Sequence, residues 1–172
     1  TQCLLDMYSI MQTQGTLDNL NIAFVGDLKY GRTVHSLVQA MCNFNATFHL
    51  VSPNELKLPS SSKMHIKNSN LSYHQYTELA DVMPIADIIY MTRIQQERFS
   101  DPLEYEKVKN SYILNKAMLE GCKPNMRILH PLPRVNEISE DVDETPQAFY
   151  FKQAENGVYV RQALLAAIAG VK

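Results

Sequence analysis

The chain has 172 residues, of which 45% are hydrophobic and 20% charged, and its 16 basic and 18 acidic residues give a net charge of −2. This composition is typical of one ordinary globular domain and excludes disordered and collagen-like classes. The basic residues are scattered, and the longest apolar run, residues 163–169, is far shorter than the roughly 20 residues of a membrane span. We therefore expect a soluble protein that binds neither nucleic acid nor membrane.

The three cysteines, Cys3, Cys42 and Cys122, are an odd number and form no C-x-x-C pair. They predict neither a disulfide framework nor a zinc site. The opening residues do not combine a basic segment with an apolar one, as a secretory signal would. We expect a reducing, cytoplasmic location.

The first elements along the chain are a helix, a strand and a second helix. Apolar residues at helical spacing follow Thr1, a suitable N-cap, so the sequence opens where a helix begins, as a fragment or a processed product would. The apolar run 21–25 predicts a strand that ends at Gly26. Residues 32–44 then place apolar side chains on one helical face.

The remaining pattern continues this alternation. It predicts a second strand at 47–51, a turn at 59–62, a weak third strand at 71–74, a short helix at 76–83, a buried fourth strand at 87–91, a fifth strand at 127–129 and a closing helix at 156–170. The fold class is therefore α/β, with a doubly wound, mostly parallel sheet of about five strands and helices on both faces, as in Rossmann-like folds. Ligands bind such sheets at the carboxyl ends of the strands.

The segment after the first strand, GDLKYGRTVHS at 26–36, contains two glycines that permit a tight turn. Lys29 and Arg32 place positive charge at a helix N-terminus, where free N–H groups already attract anions. The segment is neither a G-x-G-x-x-G loop nor a Walker loop. A simple solvated turn is the alternative interpretation.

The segment after the fourth strand is YMTRIQQER at 90–98. Arg93 follows the apolar strand directly, where its planar guanidinium can hold a carboxylate through two parallel hydrogen bonds. Gln95 lies two residues on, on the same side of an extended backbone. We expect Glu97 and Arg98 to be exposed side chains of a loop, without a role in binding.

The segment after the last strand is HPLPR at 130–134. Its two prolines lack an N–H, so this turn presents mainly carbonyl oxygens, which suit a ligand with N–H groups such as an amide or amine. A rigid loop with a packed or capping His130 is the alternative.

Taken together, the three segments and the opening TQCLLD at 1–6 resemble the aspartate carbamoyltransferase family, and residues 148–166 match it as well. The HPLP form is unlike the HCLP form of ornithine carbamoyltransferases. The resemblance implies transfer of a carbamoyl group from carbamoyl phosphate to the amine of L-aspartate in pyrimidine biosynthesis. It also implies no metal or organic cofactor.

The resemblance assigns substrate contacts and no covalent catalytic residue, because the nucleophile is the amine of aspartate. Arg32 and Arg93 would hold the two aspartate carboxylates, assisted by Gln95. Gln2 and the backbone carbonyls of Leu132 and Pro133 would contact the carbamoyl group or the attacking amine, and the peptide bond between Leu132 and Pro133 would be cis. Many family members have lysine where this chain has Gln96, so the contribution of that position stays open.

The family's carbamoyl-phosphate domain, with its phosphate loop, would precede Thr1 and is absent from this sequence. Residues 1–172 are therefore expected to form the aspartate-binding domain alone and to be inactive when isolated. Residues 60–63 do not replace the phosphate loop, because they lack its arginine. The closing helix would cross onto the absent domain, so we expect part of its apolar face to be exposed, namely Val158, Val160, Leu164, Leu165 and Ile168.

The complete family enzyme is a homotrimer whose active site borrows residues from a neighbouring subunit, and some members bind regulatory subunits, a point the sequence leaves open. A different class of protein is the alternative: a stand-alone, non-catalytic module that binds a dicarboxylate.

Overall fold

The structure, a computed structural model, describes residues 1–170 and contains one parallel sheet in the order β3-β2-β1-β4-β5. The strands are β1 (Asn21–Val25), β2 (Thr47–Val51), β3 (Tyr73–Tyr76), β4 (Ile88–Met91) and β5 (Arg127–Leu129). The α-helices are α1 (Gln2–Gln14), α2 (Arg32–Met41), α3 (Ser60–Asn68), α4 (Pro102–Val108) and α5 (Tyr150–Ile168). The prediction of a doubly wound parallel sheet is confirmed.

Two apolar clusters cover the two faces of the sheet. Ile22 and Phe24 of β1 belong to one cluster, and Ala23 and Val25 belong to the other, as the alternation of side chains along a strand requires. The first face packs against α1, α2 and α3. The second face is covered largely by short 3-10 turns, at Leu79–Asp81, Lys116–Leu119 and Glu140–Val142. The sheet is therefore buried on both sides, which its apolar strands indicate.

Several element boundaries differ from the sequence predictions. The third strand is Tyr73–Tyr76, two residues later than expected, and it is followed by one 3-10 turn where a short helix was expected. The segment 59–62 is not a turn, because α3 begins at Ser60, directly after Pro59. That helix buries only Ile66, so its apolar periodicity is weak.

The closing helix α5 begins at Tyr150, six residues before the predicted start at 156. Its first buried positions include Gln153 and Asn156, so the side that packs inward is polar and the apolar pattern does not reveal it. The sequence patterns also missed α4, which begins with Asp101 as its cap: the Asp101 carboxylate accepts a hydrogen bond from the Leu103 N–H at 2.8 Å.

Within residues 1–170, none of the helices combines the length and the apolar character needed to cross a bilayer.

A buried polar cluster lies on the second face of the sheet around His49 of β2. The His49 Nε2 lies 3.1 Å from the Asn21 side-chain oxygen, and Nδ1 lies 3.1 Å from the Tyr76 hydroxyl. Since the oxygen of Asn21 can only accept, Nε2 donates to it, and Nδ1 accepts from Tyr76. A neutral imidazole satisfies both contacts. Burial, together with the neighbouring His74 and Lys123, lowers the pKa of His49 from 6.5 to about 4.

This shift predicts that the fold loses stability in acid. The unfolded chain protonates His49 near pH 6.5, whereas the folded chain does so only near pH 4, so the free energy of unfolding falls as the pH decreases through this interval. In urea unfolding between pH 7 and pH 4, His49→Gln should remove on the order of 2 kcal/mol of that dependence.

The matched control is His65→Gln, since His65 is exposed on α3. Equal pH dependence in the two variants would contradict the role assigned to His49.

Candidate functional site

The site lies where the winding of the sheet reverses direction. From the central strand β1 the chain proceeds to β2 and β3 on one side, and later places β4 and β5 on the other. The segments that leave β1 and β4 therefore separate and open a crevice at the carboxyl edge of the sheet. A cavity of about 230 Å³ occupies this crevice.

The six residues expected to contact the substrates all line this one cavity, whereas Lys29 is not part of its lining. Arg32 comes from the turn after β1, and Arg93 and Gln95 come from the loop after β4. Leu132 and Pro133 come from the turn after β5, and Gln2 comes from the first turn of α1. Segments far apart in the sequence thus converge on a single pocket.

Close backbone packing shapes the turn after β1. A Cβ atom on Gly26 would lie 2.5 Å from the Thr92 carbonyl oxygen, and Gly26 has φ +109°, so only glycine fits there. The Thr92 hydroxyl donates to the Val25 carbonyl at 2.8 Å and accepts from the Asp27 N–H at 2.9 Å. Thr92 therefore joins the two loops on which the crevice depends.

The buried Asp27 carboxylate stabilises the same turn. It accepts hydrogen bonds from the backbone N–H groups of Lys29 and Tyr30 at 3.1 and 2.9 Å. Burial raises the pKa of Asp27, and these two hydrogen bonds act in the opposite direction. The turn holds Arg32 at the first position of α2, beside the unpaired N–H groups of that helix.

The pocket is positively charged. Its lining contains Arg32, Arg93 and Arg98, whereas Asp27 is its single acidic residue. The side chain of Arg93 is 33% exposed, and its guanidinium contacts the Glu97 carboxylate at 3.3 Å. Among the described residues, Arg32 forms no ion pair. Guanidinium groups in a partly enclosed crevice favour a ligand with carboxylate or phosphate groups.

In the turn after β5 the backbone N–H groups of His130 and Leu132 are hydrogen-bonded within the protein. The Leu132 N–H donates to His130 Nδ1 at 2.8 Å, and His130 Nε2 donates to Glu137 at 2.7 Å. The prolines at 131 and 133 have no N–H. The peptide bond between Leu132 and Pro133 is cis, as expected.

Glu137 holds the far side of this turn. Its second carboxylate oxygen accepts from the N–H groups of Val135 and Asn136 at 3.0 and 3.1 Å. Burial alone would raise the pKa of Glu137, but the hydrogen bond from His130 and the backbone N–H groups lower it. His130 is thus a packed histidine that orients the turn, the alternative that the sequence analysis named.

One expectation about this region is only partly confirmed. Glu97 and Arg98 are exposed, as expected, but Arg98 does more than that, because it also lines the pocket, where its Nε donates to the Gln95 side-chain oxygen at 3.1 Å. Sequence reasoning also assigned no role to Tyr30 and Thr92, which line the same cavity. Their position directly after β1 and β4 was the available signal.

Residues 1–170 contain no cluster of three or more His, Cys, Asp or Glu side chains arranged to hold a metal ion.

Fold and site together define a doubly wound α/β domain with an arginine-lined pocket at the carboxyl ends of its strands. The family model of the aspartate/ornithine carbamoyltransferase Asp/Orn-binding domain matches residues 18–168. The chain belongs to this family.

Similar proteins match along almost the whole chain. The aspartate carbamoyltransferase catalytic subunit of Phocaeicola vulgatus is 58% identical over 172 residues, which cover 99% of this chain and 55% of that protein. The catalytic subunit of M. jannaschii aspartate transcarbamoylase is 52% identical, with a TM-score of 0.89 over 95% of this chain and 55% of that one.

A third similar structure contains a ligand. Aspartate transcarbamoylase from Trypanosoma cruzi, in complex with N-(phosphonacetyl)-L-aspartic acid, is 37% identical, with a TM-score of 0.87 over 95% of this chain and 54% of that chain. The chain therefore spans about half the length of the relatives it matches.

The packing of Gly26 against Thr92 yields a prediction. Gly26→Ala should destabilise the chain by about 2–4 kcal/mol, because it adds a clash of about 1–3 kcal/mol to the roughly 1 kcal/mol cost of a positive φ. Chemical denaturation measures this loss.

Gly121→Ala is the control, since Gly121 has φ +80° but no heavy atom within 4 Å of the position that a Cβ would take. This variant should lower the free energy of unfolding by only about 1 kcal/mol. Equal losses at the two glycines would show that Thr92 does not restrict Gly26.

Proposed function

We propose that this chain is the aspartate-binding half of an aspartate carbamoyltransferase, which transfers a carbamoyl group from carbamoyl phosphate to the amine of L-aspartate. The observation that carries this proposal is the convergence of three arginines and of the proline-containing turn after β5 on one pocket. Aspartate has two carboxylates that arginines can bind and an amine that backbone carbonyls of the turn can accept hydrogen bonds from. No protein nucleophile and no cofactor is required.

The arrangement supports specific contacts. Arg32 and Arg93 lie on the loops that follow β1 and β4 and would hold the two carboxylates, with Gln95 beside them. The carbonyls of Leu132 and Pro133, together with Gln2, would accept hydrogen bonds from the amine or the carbamoyl NH₂. Relatives from Trypanosoma cruzi with aspartate, carbamoyl phosphate or a phosphonacetyl aspartate ligand support these substrates.

Catalysis in this site is positioning combined with charge stabilisation. The amine nitrogen of aspartate forms a bond to the carbamoyl carbon, the bond from that carbon to the phosphate oxygen breaks, and the amine proton leaves with phosphate. Acceptors at the turn after β5 orient the N–H groups so that the nitrogen lone pair faces the carbamoyl carbon. Fixed guanidinium groups at the other end prevent the substrate from rotating.

The exposed apolar surface supports the proposed domain assignment. Val158, Leu165 and Ile168 of α5 are exposed, and Val160 and Leu164 are half-buried, as the sequence analysis expected of a helix that packs on a second domain. Leu4, Tyr8 and Met11 of the adjacent α1 are exposed as well. Contiguous apolar surface of this kind is typical of an interface.

We assign residues 1–172 to the aspartate-binding domain and the remaining half of the relatives' length to a carbamoyl-phosphate domain. The complete enzyme would be a cytoplasmic homotrimer. This interface supports the enzyme over a stand-alone dicarboxylate-binding module.

Curated relatives named aspartate carbamoyltransferase favour aspartate over ornithine. Gln96, where many members have lysine, is exposed and lines a neighbouring cavity beside Glu97.

The test is complementation. The chain alone should form no carbamoyl aspartate, because the phosphate site is not part of it, whereas mixing it with a separately produced amino-terminal half should restore product formation. Turnover by the purified chain alone, or aspartate binding without any product in the complete enzyme, would contradict the proposal.

Arg93 is expected to be the main carboxylate anchor. In the complete enzyme, Arg93→Ala should lower kcat/KM for aspartate at least about tenfold, because each hydrogen bond to a charged group contributes about 1.5–3 kcal/mol. Binding of carbamoyl phosphate should change little. Arg93→Lys should recover little activity, since an ammonium group lacks the planar fork.

The control is Arg127→Ala, at the opposite edge of the sheet, where, within residues 1–170, the guanidinium donates only to the Pro124 and Met126 carbonyls. It should leave the aspartate dependence unchanged. If Arg98→Ala abolished aspartate use while Arg93→Ala did not, the anchor would be Arg98.

A further inference from the structure

We propose that Asp6 of α1 is a positioning residue for carbamoyl transfer: its buried carboxylate sets the orientation of the Gln2 amide in the pocket and, through Gln153, holds the turn after β5. The inference rests on the proposed function and concerns a residue that contacts neither substrate.

Asp6 is completely buried at the junction of three elements. One carboxylate oxygen accepts from the Gln2 amide nitrogen at 2.8 Å and from the Gln153 amide nitrogen of α5 at 2.7 Å. The other oxygen accepts from the Tyr90 hydroxyl of β4 at 2.8 Å. Within residues 1–170, no Lys, Arg or His side chain pairs with it, so its hydrogen-bond partners are three neutral groups.

Such an arrangement is costly for folding. Burial raises the pKa of Asp6, and the hydrogen bonds from Gln153, Tyr90 and Gln2 counteract that effect only in part. Apolar residues of similar volume often stabilise a buried position as well as, or better than, charged groups do. Stability therefore does not explain why a carboxylate occupies this position. The explanation we propose is that the carboxylate constrains the side chains that donate to it.

The constraint comes from the chemistry of the carboxylate, which can only accept hydrogen bonds. Both glutamine amides must direct their NH₂ groups toward Asp6, so both amide oxygens are directed to other partners. The Gln153 oxygen accepts from the His130 N–H at 2.8 Å and thereby holds the first residue of the turn that carries Leu132 and Pro133. The Gln2 oxygen remains as an acceptor for the pocket.

Asp6 thus controls two sets of acceptors at once. The carbamoyl NH₂ and the attacking amine carry N–H groups, and the Gln2 oxygen and the turn carbonyls are the groups placed to accept from them. Without Asp6 the Gln2 amide could rotate and offer its NH₂ to the pocket, which repels another N–H donor. The aspartate carboxylates, in contrast, depend on Arg32 and Arg93, which Asp6 does not contact.

The test uses Asp6→Ala and Asp6→Asn in the complete enzyme. Asp6→Ala should lower kcat at least about tenfold while KM for aspartate changes less than about threefold. Asp6→Asn should keep kcat within about threefold of the wild-type value. The oxygen of the new amide can still accept hydrogen bonds from both glutamines, and the Tyr90 hydroxyl can rotate to accept one from the new NH₂ group. If the alanine variant does not fold, Asp6→Ser is the second variant. Its side chain is too short to reach both amides but can hold a water molecule. It should show the same loss of kcat that is expected for Asp6→Ala.

The matched control is Asn156→Ala. Asn156 is 1% exposed in the same contact between α1 and α5, and its amide donates to Ser9 and Gln12 at 3.0 and 2.9 Å, away from the pocket. This variant should lose stability but keep kcat. A double-mutant cycle adds a second readout: Asp6→Ala should cost less in a Gln2→Ala background than in the wild type.

If the wild-type enzyme is active, three results would overturn this inference but not the proposed function. The first is an unchanged kcat in Asp6→Ala, and the second is an equal loss of kcat in Asp6→Asn and Asp6→Ala. The third is a loss of kcat in Asn156→Ala that matches the loss in Asp6→Ala. A wild-type complete enzyme that forms no carbamoyl aspartate would overturn the proposed function, and this inference with it.

Discussion

The close approach of the loops after β1 and β4 is the constraint on which the site depends. These strands are hydrogen-bonded neighbours, yet the chain leaves them toward opposite faces of the sheet. The loops must therefore separate while their first residues stay in contact, and Gly26 with Thr92 makes this possible. Arg32 and Arg93 follow those residues by only a few positions, so the same contact fixes the backbone from which both side chains extend.

The site is supported by polar groups that are buried and fully paired. Within residues 1–170, no buried side-chain nitrogen or oxygen lacks a hydrogen-bond partner. Asp27, Glu137 and Asp6 each use a carboxylate to bind several donors, and each lies beneath one segment of the pocket wall. Carboxylates are costly to bury, but they hold loops in one conformation without help from the ligand.

Local patterns in the sequence predicted much of this arrangement. Apolar runs and glycine turns are short-range signals, so β1, β2, β4, β5 and α2 were found close to their true positions, and the rule that ligands bind at strand ends brought Arg32, Arg93 and Leu132 together. The start of α5 was missed because its buried side contains Gln153 and Asn156. Asp6 was missed because Gln153 lies 147 positions away in the sequence, and no local pattern signals such a pair.

The distribution of donors and acceptors also gives the pocket a direction. In the proposed binding mode, one end of the pocket offers carbonyl oxygens and the other offers guanidinium groups, so a ligand that entered the wrong way round would place carboxylates against carbonyls and an ammonium group against arginines. Both contacts are repulsive. A diamine or a longer substrate with a second positive charge meets the same obstacle at the arginine end, so selection between amino acids begins with the polarity of the cavity and does not require a close steric fit.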